Sequence, residues 1–165
     1  MHDAVVRTDA DVHPVDLERV YREQGPKMQR ALLLFTGDRD VADDAVAEAF
    51  AQALARGSEV RDPSRWVWSV AFRIAGGAMK ERRRLVDVSD AHLDPVLDSP
   101  EVPLALMDAL GTLSPKQRAS VVLFHLAGYR TAEVARILGS TAPAVTVHLS
   151  VGRKRLRASL EERDE

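Results

Sequence analysis

The chain contains no cysteine, which excludes a disulfide framework and thiolate metal sites. Its five histidines, His2, His13, His92, His125 and His148, are too dispersed to suggest a ligand cluster, so no metal and no cofactor is expected. Aromatic residues make up only 5% of the sequence. No apolar run approaches the length that crosses a bilayer, so no membrane span is expected. Met1 to Pro14 lacks the apolar core of a signal peptide, and a cytoplasmic location is the expectation. Neither a Ser/His/Asp set nor a phosphate-cradling glycine loop is present, so no catalytic residue is assigned and an enzyme is the least favoured class.

What remains suits a soluble helical protein of 165 residues, long enough for one domain or two small ones. The most informative stretch is Tyr129 to Arg157, which has the grammar of a helix-turn-helix. Thr131 is expected to cap a short helix with Val134, Ile137 and Leu138 at helical spacing, and Gly139 to end it. Thr141 then caps a second helix with Pro143 in its first turn. On that helix Val145, Leu149, Gly152, Leu156 and Leu160 form the inward stripe, Gly152 permitting close approach. Pro143, Thr146, Val147, Ser150 and Lys154 form the face that a major groove would meet. A helical hairpin in an ordinary core is the competing reading. Against it, Ser114 to Leu160 carries eight lysines and arginines and one carboxylate, Glu133, although the whole chain has a net charge of −2. Arg153, Lys154, Arg155 and Arg157 fall where a groove-bound helix meets phosphates.

The first half reads as three helices after a disordered tail over 1–14. One runs from Val15 to about Phe35 across Gly25-Pro26, and one from an Asp38 or Asp40 cap to Arg56. The third opens at Ser64 and reaches about Arg84. On the second, Ala42, Val46, Ala49, Phe50, Ala53 and Leu54 form the expected buried stripe. Asp40, Asp44, Glu48 and Gln52 line its outer face, with Asp43 beside them. That face is either a plain solvated surface or a dock for a basic partner. On the third, Trp66, Arg73, Gly77, Lys80 and Arg84 share one side, joined by Arg82 and Arg83 at the end. Cations that track phosphates beside an aromatic that stacks on a base suit single-stranded nucleic acid. A buried Trp66 is the alternative.

Leu85 to Pro103 holds Pro95, Pro100 and Pro103, five carboxylates and no lysine or arginine, so 86–103 is read as an acidic linker. About 17 residues at roughly 3.3 Å each reach on the order of 55 Å. A short helix, Leu104 to Leu110, and a longer one from Ser114-Pro115 to Ala127, packed through Val121, Val122, Leu123 and Phe124, precede the helix-turn-helix. The resulting fold class is all-α: two small helical domains, 15–85 and 104–165, joined by a flexible linker.

In order and spacing these segments resemble an extracytoplasmic-function (ECF, group 4) RNA polymerase sigma factor. The carrying motifs are GDRDVADDAVAEAFAQAL at Gly37 to Leu54, DPSRWVWSVAFRIA at Asp62 to Ala75, ALGTLSPKQRASVVLFHLAGYRTAEVARILG at Ala109 to Gly139, and the Arg/Lys tail of the last helix. The resemblance implies a region 2 domain and a region 4 domain that bind core RNA polymerase and promoter DNA. Asp43, Asp44 and Glu48 match the helix that docks on a coiled coil of the largest polymerase subunit, and the polymerase flap is a second implied contact. Arg73, Lys80 and Arg82 to Arg84, with Trp66 on the same side, match the helix that opens the minus-ten element. Thr131, Pro143, Thr146, Val147, His148, Ser150, Arg153 and Lys154 match the part of region 4 that reads the minus-thirty-five element. An anti-sigma factor is a further candidate partner.

This chain departs from the family at Gly77, where an acidic residue is common, and at Thr146 and His148, where cations are common. Thr146 and Val147 offer one hydrogen bond or contact with a thymine methyl, and neither makes the bidentate guanine contact of arginine. A sigma-like protein that binds polymerase or an anti-sigma factor without reading promoters is therefore the second reading. An ordinary helix-turn-helix repressor or activator is the third, and it leaves the carboxylate stripe and the Arg73 to Arg84 helix without a use.

Overall fold

The computed structural model of the chain describes residues 14–88 and 102–165, all helix and connecting turns with no strand among them. Most of the expected tail and most of the expected linker over 86–103 lie outside the described residues.

Helix α1, Pro14–Thr36, carries Pro26 within it and ends where Gly37 takes a φ of +71°. Asp38 then caps α2, Arg39–Arg56, its carboxylate accepting from the Asp40 and Val41 N–H groups at 2.9 and 3.1 Å. Ala42, Ala45, Val46, Ala49 and Ala53 form the buried stripe. Leu54 does not join it and is 59% exposed, because it falls one position past the stripe, at the solvent edge. After a 3-10 turn at Gly57–Glu59 comes α3, Pro63–Val88. Its cap is Asp62 rather than Ser64: the Asp62 carboxylate accepts from the Arg65 N–H at 3.3 Å, with Pro63 at the first helical position. The helix also runs past the expected end at Arg84, into the segment assigned to the linker.

The second half starts with α4, Leu104–Gly111, and α5, Pro115–Val121, whose cap pairs the Ser114 hydroxyl with the Gln117 N–H and the Gln117 side chain with the Ser114 N–H. The sequence suggests that α5 continues to Ala127; instead the backbone widens into a π-helical turn over Val122–Leu126, its Ala127 N–H bonding to the Val122 carbonyl at 3.1 Å. Four consecutive apolar residues cannot all face one side of an α-helix, at about 100° per residue. The wider turn buries Val122 and Leu123 while Phe124 stays half-exposed. Helix α6, Thr131–Leu138, starts without a Thr131 cap: the Glu133 carboxylate accepts from the Arg130 N–H at 3.4 Å. Gly139, with a φ of +62°, turns the chain into α7, Ala142–Glu161, capped by Thr141 through the Ala144 N–H at 3.3 Å. A Cβ on Gly152 would lie 3.0 Å from Val121 Cγ2, so the expected close approach of α7 is real, and its neighbour is α5.

The two halves pack against each other and share a continuous hydrophobic core. The fully buried ring of Trp68, on α3, lies 5.3 Å from the ring of Tyr129, and its indole N–H donates to Gln24. Burial, with the charges of Glu133 and Asp62, pushes the Tyr129 hydroxyl up to about 12. Ser69 Oγ donates to the Ile137 carbonyl of α6 at 3.0 Å. The Arg118 guanidinium reaches from α5 to the Phe35 carbonyl at the end of α1 (3.1 Å) and to the Gly111 and Leu113 carbonyls (3.4 and 3.2 Å). Helix C-termini carry partial negative charge, which a cation offsets. Burial, and then the nearby charge of Arg83, lowers the pKa of Arg118.

Candidate nucleic-acid interface

Three surfaces were expected to carry function. On the outer face of α2, Asp43, Asp44 and Glu48 are all exposed, and Glu48 accepts a bond from Gln52 at 3.0 Å. The inward alanines let α2 lie close to α1 and α3, which turns its carboxylates outward as one patch.

On α3, Arg73, Gly77, Lys80, Arg83 and Arg84 are exposed along the helix, and Arg84 pairs with Glu81 at 2.7 Å. Two members of the expected set are engaged elsewhere. Arg82 is half-buried and bonded to the carboxylate of Asp38, the cap of α2. Burial alone would raise the pKa of Asp38, but Arg82 and the Val41 and Asp40 N–H groups outweigh it and hold the carboxyl below its ordinary value. Trp66 is half-buried against the core, with the Arg56 guanidinium 5.8 Å over its ring. One ring face is thus occupied, and stacking on a base there requires Arg56 to move.

On the helix-turn-helix, Val145, Leu149 and Gly152 turn inward while Pro143, Thr146, Val147, Ser150, Arg153 and Lys154 are exposed. Thr131 is half-buried at the start of α6. His148 is set apart from the exposed face: it is half-buried and lines a cavity between the halves with Phe35, Gly76, Ser120 and Gly139. The Thr146 hydroxyl donates to the Ala142 carbonyl of its own helix at 3.0 Å. Arg153 Nε donates to His125 Nε2 at 3.1 Å, and its guanidinium lies 5.4 Å from the centre of the Phe124 ring. Burial, and then the charge of Arg153, lowers the pKa of His125. Arg155 donates to the Gln117 side chain at 3.3 Å. Two cations of α7, Arg153 and Arg155, are therefore anchored on the π-helical turn and on α5, contacts that no local pattern in the sequence announces.

Trp68, Ser69 and Arg118, which join the halves, were not singled out from the sequence. Trp68 had a readable signal, the helical spacing Trp68, Phe72, Ala75 on the buried side of α3. Arg118 had none, since its partners are backbone carbonyls far away in the chain.

Residues 104–156 match the family Sigma-70, region 4. The chain is 33% identical over 138 residues to an RNA polymerase sigma-E factor of Streptomyces avermitilis, covering 83% of this chain and 70% of that protein. It is 28% identical over 141 residues to the ECF RNA polymerase sigma factor BldN of Streptomyces coelicolor, where the match takes in 77% of this chain and spans 53% of the relative's length. Among solved structures, the sigma factor RpoE of Bartonella quintana, determined with the anti-sigma factor NepR, superposes with a TM-score of 0.73 at 21% identity, covering 88% of this chain and 97% of that one.

Proposed function

We infer the role of this chain from its family, for it belongs to the ECF RNA polymerase sigma factors. It binds core RNA polymerase and directs it to promoters, and the polymerase supplies the chemistry. Residues 15–85 act as region 2 and 104–165 as region 4. Asp43, Asp44 and Glu48 dock on the coiled coil of the largest polymerase subunit. The apolar groove along α4 and α7, with Leu106, Leu126, Leu156 and Leu160 on its walls, receives the flap. Arg73, Lys80, Arg83 and Arg84 hold the opened minus-ten strand, Trp66 joining them once Arg56 moves away. Arg82, tied to Asp38, acts mainly by fixing α3 against α2. In the minus-thirty-five element, Pro143, Thr146, Val147 and Ser150 approach base edges, and Arg153 and Lys154 contact phosphates. Thr131 supports the turn, and His148 joins them only after the halves part. Work on core polymerase puts the protein in the cytoplasm, and an anti-sigma factor is its further candidate partner.

The observation that carries this reading is the sidedness of α7, with Val145, Leu149 and Gly152 inward and the whole of Pro143, Thr146, Val147, Ser150 and Lys154 outward. The relatives are sigma factors, and nothing favours the degenerate alternative. The test is transcription by core polymerase on a promoter-fragment library, with and without the purified chain. Sequence-selective transcripts that need the chain are the expected result; polymerase binding without such transcripts overturns the reading.

A further inference from the structure

The N-terminal part of the exposed face of α7, over 142–150, lacks every side chain that makes a bidentate base contact. Its first two turns present Pro143, Thr146, Val147 and Ser150. Arginine, lysine, asparagine and glutamine, which pair with guanine or adenine edges, are absent from that stretch. Thr146 has given its hydroxyl proton to the Ala142 carbonyl. What stands out is Val147, 60% exposed. An aliphatic side chain on a recognition helix has one complementary feature in the major groove, the C5-methyl group of thymine. The charge around it fits a duplex: Arg153, Lys154 and Arg157 are exposed further along the helix. Arg153 lies about 9 Å beyond Val147 along the axis at about 1.5 Å per residue, enough for the cations to reach phosphates while Val147 stays over base edges.

We propose that Val147 selects thymine at one position of the minus-thirty-five element by packing against its methyl group. This rests on the promoter-reading role given above. Adenine and guanine place the polar N7 acceptor near that spot, which the isopropyl group strips of water without pairing, while cytosine leaves a C5–H there and forfeits the methyl contact. Discrimination therefore comes from both the methyl contact and the penalty on the purines. The basic residues beyond it add affinity that is indifferent to sequence.

The experiment uses the full chain bound to core polymerase. Duplexes are selected from a random-sequence library, and each thymine of the minus-thirty-five region is replaced singly by deoxyuridine, which removes only the methyl. At one position the replacement is expected to weaken binding about fourfold, the effect of one buried methyl group. Val147→Ala should weaken binding to thymine DNA by a similar factor and make the deoxyuridine replacement at that position silent, since both changes delete the same contact. Circular dichroism of Val147→Ala should match the parent, as the side chain is exposed. Selected duplexes with no methyl-dependent position, or the same dependence in Val147→Ala, would overturn the proposal. Failure to select any duplex would overturn promoter reading itself, and this proposal with it.

Discussion

A methyl group added at Gly77 of α3 meets no atom within 4 Å, whereas one added at Gly152 of α7 sits 3.0 Å from Val121 Cγ2 and 3.6 Å from the Gln117 carbonyl. Both glycines are inside helices, where alanine is favoured by roughly 1 kcal/mol. At Gly77 nothing opposes that preference, so Gly77→Ala should raise stability by about 0.5–1 kcal/mol. At Gly152 the neighbour is a buried, β-branched valine with little rotamer freedom, and overpacking costs about 1–3 kcal/mol. Gly152→Ala should therefore lose about 1 kcal/mol net, and Val121→Ala added to it should recover part of the loss. Thermal unfolding of the variants decides the matter, and a Gly152→Ala protein as stable as the parent would contradict the close contact. A second residue-scale effect is set by His125, which accepts the Arg153 N–H through Nε2 and so must be neutral there. Its folded-state pKa is depressed below 6.5, first by burial and then by Arg153. The unfolded chain binds a proton first on acidification, so this contribution is intact above about pH 6.5 and is lost as the pH falls through the folded value. His125→Gln, which offers an acceptor without titrating, should flatten that part of the stability profile.

At the scale of elements, α2 is the simplest to test, because its outer face makes no packing contribution. Asp44→Lys with Glu48→Lys should weaken binding to core polymerase by about tenfold or more while moving stability by no more than about 0.5 kcal/mol. A binding assay and a melting curve on the same sample check both halves of that statement; unchanged binding would remove α2 as the docking helix. The helix boundaries legible in the sequence were those set by local chemistry, at Gly37, Asp38, Ser114-Pro115, Gly139 and Thr141, each of which ends or caps a helix through its own backbone or side chain. The exposed faces of α2 and α7 were legible for a similar reason, since periodicity alone separates them from their buried stripes. Where contact with another element decides the outcome, the sequence was silent or misleading. Trp66 and Trp68 look alike as neighbours on one helix, yet only Trp68 meets Tyr129 and is sealed in the core. Arg82 reads as one more cation of a basic run until Asp38 is brought beside it. The half-burial of His148, in a cavity it lines with Phe35 of α1 and Gly76 of α3, likewise depends on how the halves meet.

The whole molecule faces a problem of span. Elements named for positions minus-ten and minus-thirty-five lie about 25 base pairs apart, on the order of 85 Å at about 3.4 Å per pair. A compact chain of this length measures only about 40 Å across. Arg73 and Lys154 are both exposed in the packed form, so neither has to be dug out of the core, but one packed body cannot set them on both elements at once. Setting Arg73 on one element and Lys154 on the other, as proposed, requires the halves to part at the Trp68–Tyr129, Ser69–Ile137 and Arg118–Phe35 contacts. Binding to polymerase and promoter shifts the population only by its preference for the parted form, so weakening the packed form should lower the cost of opening. The absence of cysteine makes this measurable: Arg19→Cys and Glu162→Cys place a dye pair at exposed sites, one in each half. Energy transfer should be high in the free protein and fall when core polymerase and promoter are added. Arg118→Met, which deletes the guanidinium bridging α1 and α5, should lower transfer in the free protein while helical circular dichroism is retained. Transfer that stays constant from free protein to promoter complex would mean that the packed body grips DNA intact, and the two-site account of the cationic surfaces would have to be abandoned.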